Sequence, residues 1–150
     1  MPRKKPAVTP EEYRKMIEGI ELQNIFVQNA NISLNRKFVS RELAVTIEDS
    51  SSFQNLENKN IEVNHNYKLI AKKPKGGNHI KINCSFCLNF SSEKPFTNNF
   101  FEIFSKLNLP INSWPYFREF VQNMTQRMNV PPLTLPLFKE SPSKSKSGRR

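Results

Sequence analysis

Residues 61–90 read IEVNHNYKLIAKKPKGGNHIKINCSFCLNF, and their alternation decides the fold. Ile61, Val63, His65, Tyr67, Leu69 and Ala71 occupy every second position, and Ile80, Ile82, Cys84, Phe86, Leu88 and Phe90 repeat the pattern. A period of two is that of a strand with one buried face. The run between them, KKPKGGN, carries Pro74, Gly76 and Gly77 and reads as a hairpin turn. The stretch is therefore expected to form a long antiparallel hairpin with a single apolar face.

Working toward the N-terminus, residues 20–34 (IELQNIFVQNANISL) place Ile20, Leu22, Phe26, Ala30, Ile32 and Leu34 on one face. The opposite face is mostly polar but carries Ile25 and Val27, which reads as an apolar patch on the second side of the sheet. ELAVTIE predicts a shorter strand with Leu43, Val45 and Ile47 aligned, and DSSSFQNLENKN reads as a polar loop holding Phe53 and Leu56. Thr9, Pro10 and Glu12 give an N-cap, a first-turn proline and a capping-box acid, so a short leading helix should run to Gly19.

Toward the C-terminus the period changes. Phe100, Ile103, Phe104 and Leu107 recur at helical spacing and should end before Pro110. A further helix is expected to open near Ser113, to present Phe117, Phe120, Val121, Met124 and Met128, and to stop before Pro131. PPLTLP then continues as an extended segment, too rigid for a helix and too apolar for a solvated linker. Strands followed by helices indicate an α+β fold, a four-stranded antiparallel sheet with helices packed on one face. The expected organisation is a basic disordered start over 1–8, one domain over 9–138 and a basic disordered tail over 139–150.

The formal net charge is +10, and its placement matters more than its size. Arg3, Lys4 and Lys5 give +3 at the start, and five bases against Glu140 give +4 over residues 139–150, which leaves +3 for the body. The folded part therefore lacks the concentrated basic face of a phosphate-gripping domain. Cys84 and Cys87 lie three apart in a strand, pointing to opposite faces, which suits neither a disulfide nor a shared metal. His65 reads as a packed histidine, with no carboxylate or serine placed beside it to complete a triad. KPKGGN lacks the spacing of a phosphate loop. Neither a membrane-length apolar run nor a secretory signal is visible, so the cytoplasm is the expected compartment, with no membrane insertion and no cofactor.

There are 12 Phe, 3 Tyr and 1 Trp. Phe26, Phe86, Phe90, Phe100, Phe104 and Phe117 fall on expected core faces. Ile25, Val27, Phe38, Phe53, Leu56, Trp114 and Tyr116 are harder to hide. A single helical layer covers one sheet face, so the apolar remainder should be covered by another subunit or used on a partner.

Three blocks in order, LQNIFVQNANISL, the hairpin above and WPYFREFVQNMTQRMNVPPLTLPLF, resemble the SecB family of export chaperones over residues 20–138. The last is the most specific: Pro-Tyr, one residue, Arg-Glu, a helix and Pro-x-Leu-x-Leu are matched by Pro115, Tyr116, Arg118, Glu119, Pro131, Leu133 and Leu135. The resemblance implies an ATP-independent holdase without a catalytic site, assembling as a dimer or tetramer and holding unfolded polypeptides in surface grooves. Candidate groove residues are Ile25, Val27, Phe38, Phe53, Leu56, Trp114, Tyr116, Leu133 and Leu135. Clients would be secretory precursors or, as in divergent members with a leading helix, an antitoxin. Export-type members dock SecA through an acidic C-terminal tail, whereas KESPSKSKSGRR is short and basic, which argues against SecA through that route.

Two rival readings compete with this one. A nucleic-acid-binding adaptor would use the basic ends and Lys72, Lys73 and Lys75, against the modest charge of the body. A purely structural oligomer would consume all the apolar surplus in assembly.

Overall fold

A computed structural model describes residues 8–35, 43–72, 78–130, 133, 135 and 136. In chain order these form α1 (Pro10–Glu18), β1 (Ile20–Leu34), β2 (Ala44–Asn55), β3 (Asn60–Lys72), β4 (Asn78–Ser92), α2 (Asn98–Phe104) and α3 (Asn108–Arg127). The four strands make one antiparallel sheet in the order β1-β4-β3-β2, with the helices over one face, the expected α+β arrangement. The turn joining β3 to β4, residues 73–77, lies outside the described residues. Among the described residues no helix is long and apolar enough to cross a membrane.

Local chemistry fixes the first elements. The Thr9 side chain accepts a hydrogen bond from the Glu12 N–H at 3.1 Å, and Gly19 caps the other end of α1. The chain passes so close to the loop after β4 that a Cβ on Gly19 would sit 2.9 Å from Glu93 Cγ, while the Gly19 carbonyl accepts from the Glu93 N–H at 3.1 Å. Glycine at this crossing lets α1 run directly into β1.

The core lies between the sheet and α2 and α3. Ile61, Val63, His65, Tyr67, Leu69 and Ala71 of β3 pair across from Phe90, Leu88, Phe86, Cys84, Ile82 and Ile80 of β4, and all twelve are buried. The hairpin periodicity thus holds without a slip through its centre. Phe117 of α3 lies flat on Tyr67 with ring centroids 4.6 Å apart, and Phe104 of α2 meets Phe90 edge-on at 5.4 Å.

Three sequence expectations are corrected. First, β2 does not stop at Glu48: it runs on to Asn55, so Phe53 is a strand residue opposite Val63 and not a loop residue. An unbroken ladder to β3 outweighs the weak strand preference of Asp49, Ser50, Ser51 and Ser52, and Phe53 gains burial against Phe96 and Phe101.

Second, β1 carries register shifts between Leu22 and Asn24 and between Val27 and Asn29. Each extra residue flips the side-chain alternation. Ile25 and Val27 consequently pair with Leu88 and Phe86 on the helix side, and Phe26 pairs with Cys87 on the opposite side. The patch of Ile25 and Val27 expected on the second sheet face is therefore on the first, and Phe26, 48% exposed, takes a place on the second. That face is otherwise mostly amide and hydroxyl, with Asn24, Asn31, Asn66, Asn83, Asn89 and Ser85 among its residues.

Third, α3 begins at Asn108, so Ser113 is an interior helix residue and not an N-cap. Pro110 sits in the first turn, where its missing N–H has no intrahelical partner to lose. Pro115 lies inside α3 on its exposed side.

Cys84 faces the core and Cys87 the other side of the sheet, and both are free and buried. Burial pushes the Cys84 thiol up to about 11 and raises that of Cys87 as well, with a smaller contribution from Glu62. In the native protein neither thiol should react with an aromatic disulfide reagent at pH 8 on a timescale of minutes, and both should react once the chain is unfolded. Truncating Phe117 to Ala should destabilise the fold by about 3–5 kcal/mol, measured as a lowered denaturant midpoint at unchanged slope.

Candidate functional site

Helix α3 has two different flanks. Trp114 meets Tyr67 of β3 edge-on at 5.7 Å, whereas Tyr116 meets Phe86 of β4 at 6.4 Å, so one flank turns toward β3 and β2 and the other toward β4 and β1. Trp114, Arg118 and Thr125 fall within about 40° of one another at helical spacing, and Tyr116 and Phe120 lie on the other side.

The first flank is filled by the chain itself. Trp114 Nε1–H donates to the Pro136 carbonyl at 2.7 Å, Arg118 Nε–H donates to the Leu135 carbonyl at 2.6 Å, and the Leu133 N–H donates to Thr125 Oγ1 at 3.1 Å. The described residues of this strap therefore lie antiparallel to α3, held by contacts to their backbone. Leu135 is buried in the core and Leu133 is half-buried against it.

No described segment fills the second flank. On the helix side of β1, Leu22 is 37% and Val27 45% exposed, and Tyr116, whose ring meets the Phe86 partner of Val27, is 48% exposed. Ile25 is half-buried between them, and Phe86, buried beneath, links the two walls by pairing with Val27 and touching the Tyr116 ring. The result is an apolar strip running between an edge strand and a helix.

The residues singled out in the sequence do not form one cluster. Ile25, Val27 and Tyr116 border the open strip. Trp114, Leu133 and Leu135 belong to the strap on the far flank of α3. Phe53 stands at the α2 end of β2, its ring centroid 4.7 Å from that of Phe101, and Leu56 is exposed in the turn that follows. Phe38 lies outside the described residues. Leu22, which the alternation assigned to the core, joins the strip, and no sequence signal marked it.

His65 is a further correction. A carboxylate and a serine are beside it after all: Asp49 Oδ2 lies 2.8 Å from Nε2, and Ser113 Oγ lies 2.7 Å from Nδ1. The extension of β2 brings Asp49 alongside, and the early start of α3 puts Ser113 on its inward face. Tyr67 Oη completes the group at 2.8 Å from Ser113 Oγ, and burial holds its phenol well above the usual range, with the Ser113 contact lowering and the Asp49 charge raising it further. Ser113 and His65 are both 0% exposed, so no substrate carbonyl can reach the hydroxyl, and the array ties α3 to the sheet. Among the described residues no three His, Cys, Asp or Glu side chains are grouped to hold a metal.

No protein-family model matches the chain, and no curated protein matches it. Among solved structures, a SecB-like chaperone of Mycobacterium tuberculosis, in complex with a ChAD peptide from the HigA1 antitoxin, superposes with a TM-score of 0.73 at 16% identity. The match covers 83% of this chain and 94% of that one. A protein of unknown function from Streptococcus agalactiae aligns at a TM-score of 0.41 and 10% identity, over 79% of this chain and 97% of its own, too low to bear on the fold. The sheet order, the helices on one face and the 0.73 superposition together give this chain the fold of a divergent SecB-like chaperone.

Proposed function

We propose that the protein is an ATP-independent holdase that keeps non-native polypeptides from aggregating. The observation that carries this reading is the open apolar strip between β1 and α3, in which Leu22, Val27 and Tyr116 stay exposed on the helix side of the sheet. Several exposed apolar side chains brought together in one strip are what a surface meant for another chain should look like, whereas Phe26, Val45, Leu56 and Ile111 are exposed elsewhere on the molecule. The structural similarity to a chaperone that was solved with an antitoxin peptide supports it from outside this chain.

In this reading Ile25, Val27 and Tyr116 line the principal client contact. Phe53 and Leu56 supply a second apolar contact at the other end of the sheet, with Phe38 assigned a part in the surface from the sequence. Trp114, Leu133 and Leu135 serve by fixing the strap that braces α3. The protein works in the cytoplasm as a dimer or tetramer, uses neither cofactor nor catalytic residue, and takes an antitoxin or a secretory precursor as client. The leading helix favours the antitoxin.

At stoichiometric amounts the folded protein should suppress light scattering by a thermally or chemically unfolded model protein, and a folded preparation that leaves scattering unchanged would overturn the proposal. Replacing Val27 with Asn together with Tyr116 with Ser should weaken that suppression about tenfold or more. Both side chains are half exposed, so stability should change by only about 0.5 kcal/mol each. If the double variant instead changes the oligomeric state and leaves suppression intact, the strip is a subunit interface.

A further inference from the structure

Four polar contacts converge on the buried array under α3. His65 Nε2 faces Asp49 Oδ2 at 2.8 Å, His65 Nδ1 faces Ser113 Oγ at 2.7 Å, Tyr67 Oη faces Ser113 Oγ at 2.8 Å, and Ser113 Oγ faces the Leu109 carbonyl at 3.1 Å. Each contact needs one hydrogen between its two heavy atoms, so the set needs four. A neutral imidazole brings one, the serine hydroxyl one and the phenol one, and an ionised Asp49 brings none. The neutral array is one proton short. A serine oxygen donates once and accepts twice, so Ser113 can serve all three of its partners only by donating to Leu109 and accepting from both rings.

We propose that Asp49, His65 and Ser113 form a proton-linked latch between the sheet and α3, with two states distinguished by where the Ser113 hydrogen points. With one ring proton, His65 donates from Nε2 to Asp49, Ser113 donates to Nδ1, and the Leu109 carbonyl goes without the hydroxyl. A proton taken from solvent onto Nδ1 makes both ring nitrogens donors. Ser113 then accepts from Nδ1 and from Tyr67, turns its own hydrogen onto Leu109, and all four contacts close. The added positive charge is balanced by Asp49.

Among the described residues, Asp49 on β2 is the charged group at the ring. The other titratable groups on this face are Tyr67 on β3, the strand of His65, kept protonated by burial, and Cys84 on β4, a neutral thiol. The neighbouring β4 side chain is Phe86, and α3 contributes the uncharged Ser113 and Trp114 and, on the same flank one turn on from Trp114, the cation Arg118, whose Nε–H is engaged by the Leu135 carbonyl. The imidazole is thus the group of this cluster that can take up the missing proton, because its Nδ1 faces a hydroxyl oxygen able to accept as well as donate. The latch joins β2, β3 and the helix whose two flanks carry the strap and Tyr116, so its closing on acidification tightens the seat of both walls. This inference does not depend on the proposed chaperone activity.

The full-length protein labelled with 15N at its imidazole rings, observed by long-range proton–nitrogen NMR from pH 8 to pH 5, tests the latch. His79 signals are identified by their loss in His79→Gln. At pH 8 His65 should be the Nε2–H tautomer with a bare Nδ1, and at pH 5 both nitrogens should carry hydrogen in the folded protein. The melting temperature of the native sequence relative to Ser113→Ala should rise by about 2–4 °C over the same change, because the fourth contact exists only when both ring nitrogens carry hydrogen. An Nδ1–H tautomer at pH 8, a ring that stays neutral in the folded protein at pH 5, or a melting difference that does not vary with pH would each overturn the latch.

Discussion

One helix cannot roof four strands. With neighbouring strands about 4.8 Å apart, the sheet is roughly 19 Å wide, whereas a helix with its side chains is about 10–12 Å across. Helix α3 sits over β3 and β4, where Phe117 lies on Tyr67 and Tyr116 touches Phe86. The two edge strands must then be covered by something else or left open, and the chain treats them differently. On the β3 side of α3 it returns as the strap; on the β1 side no described segment returns.

The strap explains why a proline-rich apolar run follows the helix. At its described residues Leu133, Leu135 and Pro136 the backbone is gripped by side chains of α3, and Leu135 adds to the core, so these three polar groups are satisfied without a strand or helix. Arg118 and Trp114 therefore have a packing task, and the open strip is left to Leu22, Ile25, Val27 and Tyr116. The outer sheet face is rich in asparagine and serine, and its exposed large apolar side chain among the described residues is Phe26.

Much of this was legible in the sequence, and the exceptions share a cause. The hairpin of β3 and β4, the capped α1 and the helical spacing of α2 and α3 could be read because each rests on local periodicity or capping chemistry. The helical residues Phe117 and Val121 accordingly sit where the spacing put them, fully buried. What could not be read depends on partners distant in the chain. The bulges in β1 are set by pairing with β4 and move Ile25 and Val27 to the helix side while sending Phe26 away. The length of β2 is set by β3, which turns Asp49 and Phe53 from loop residues into strand residues. His65 looked isolated because its two partners lie 16 residues before it and 48 after it. Ile25 and Val27, expected on the outer sheet face, lie instead in the strip beside α3.

That location can be tested directly by site-specific photo-crosslinking to an unfolded client. A photoreactive residue at Tyr116 should capture the client, and the same residue at Asn66, at the middle of the outer sheet face, should not. Capture from Asn66 as strong as from Tyr116, or from Asn66 alone, would contradict the account.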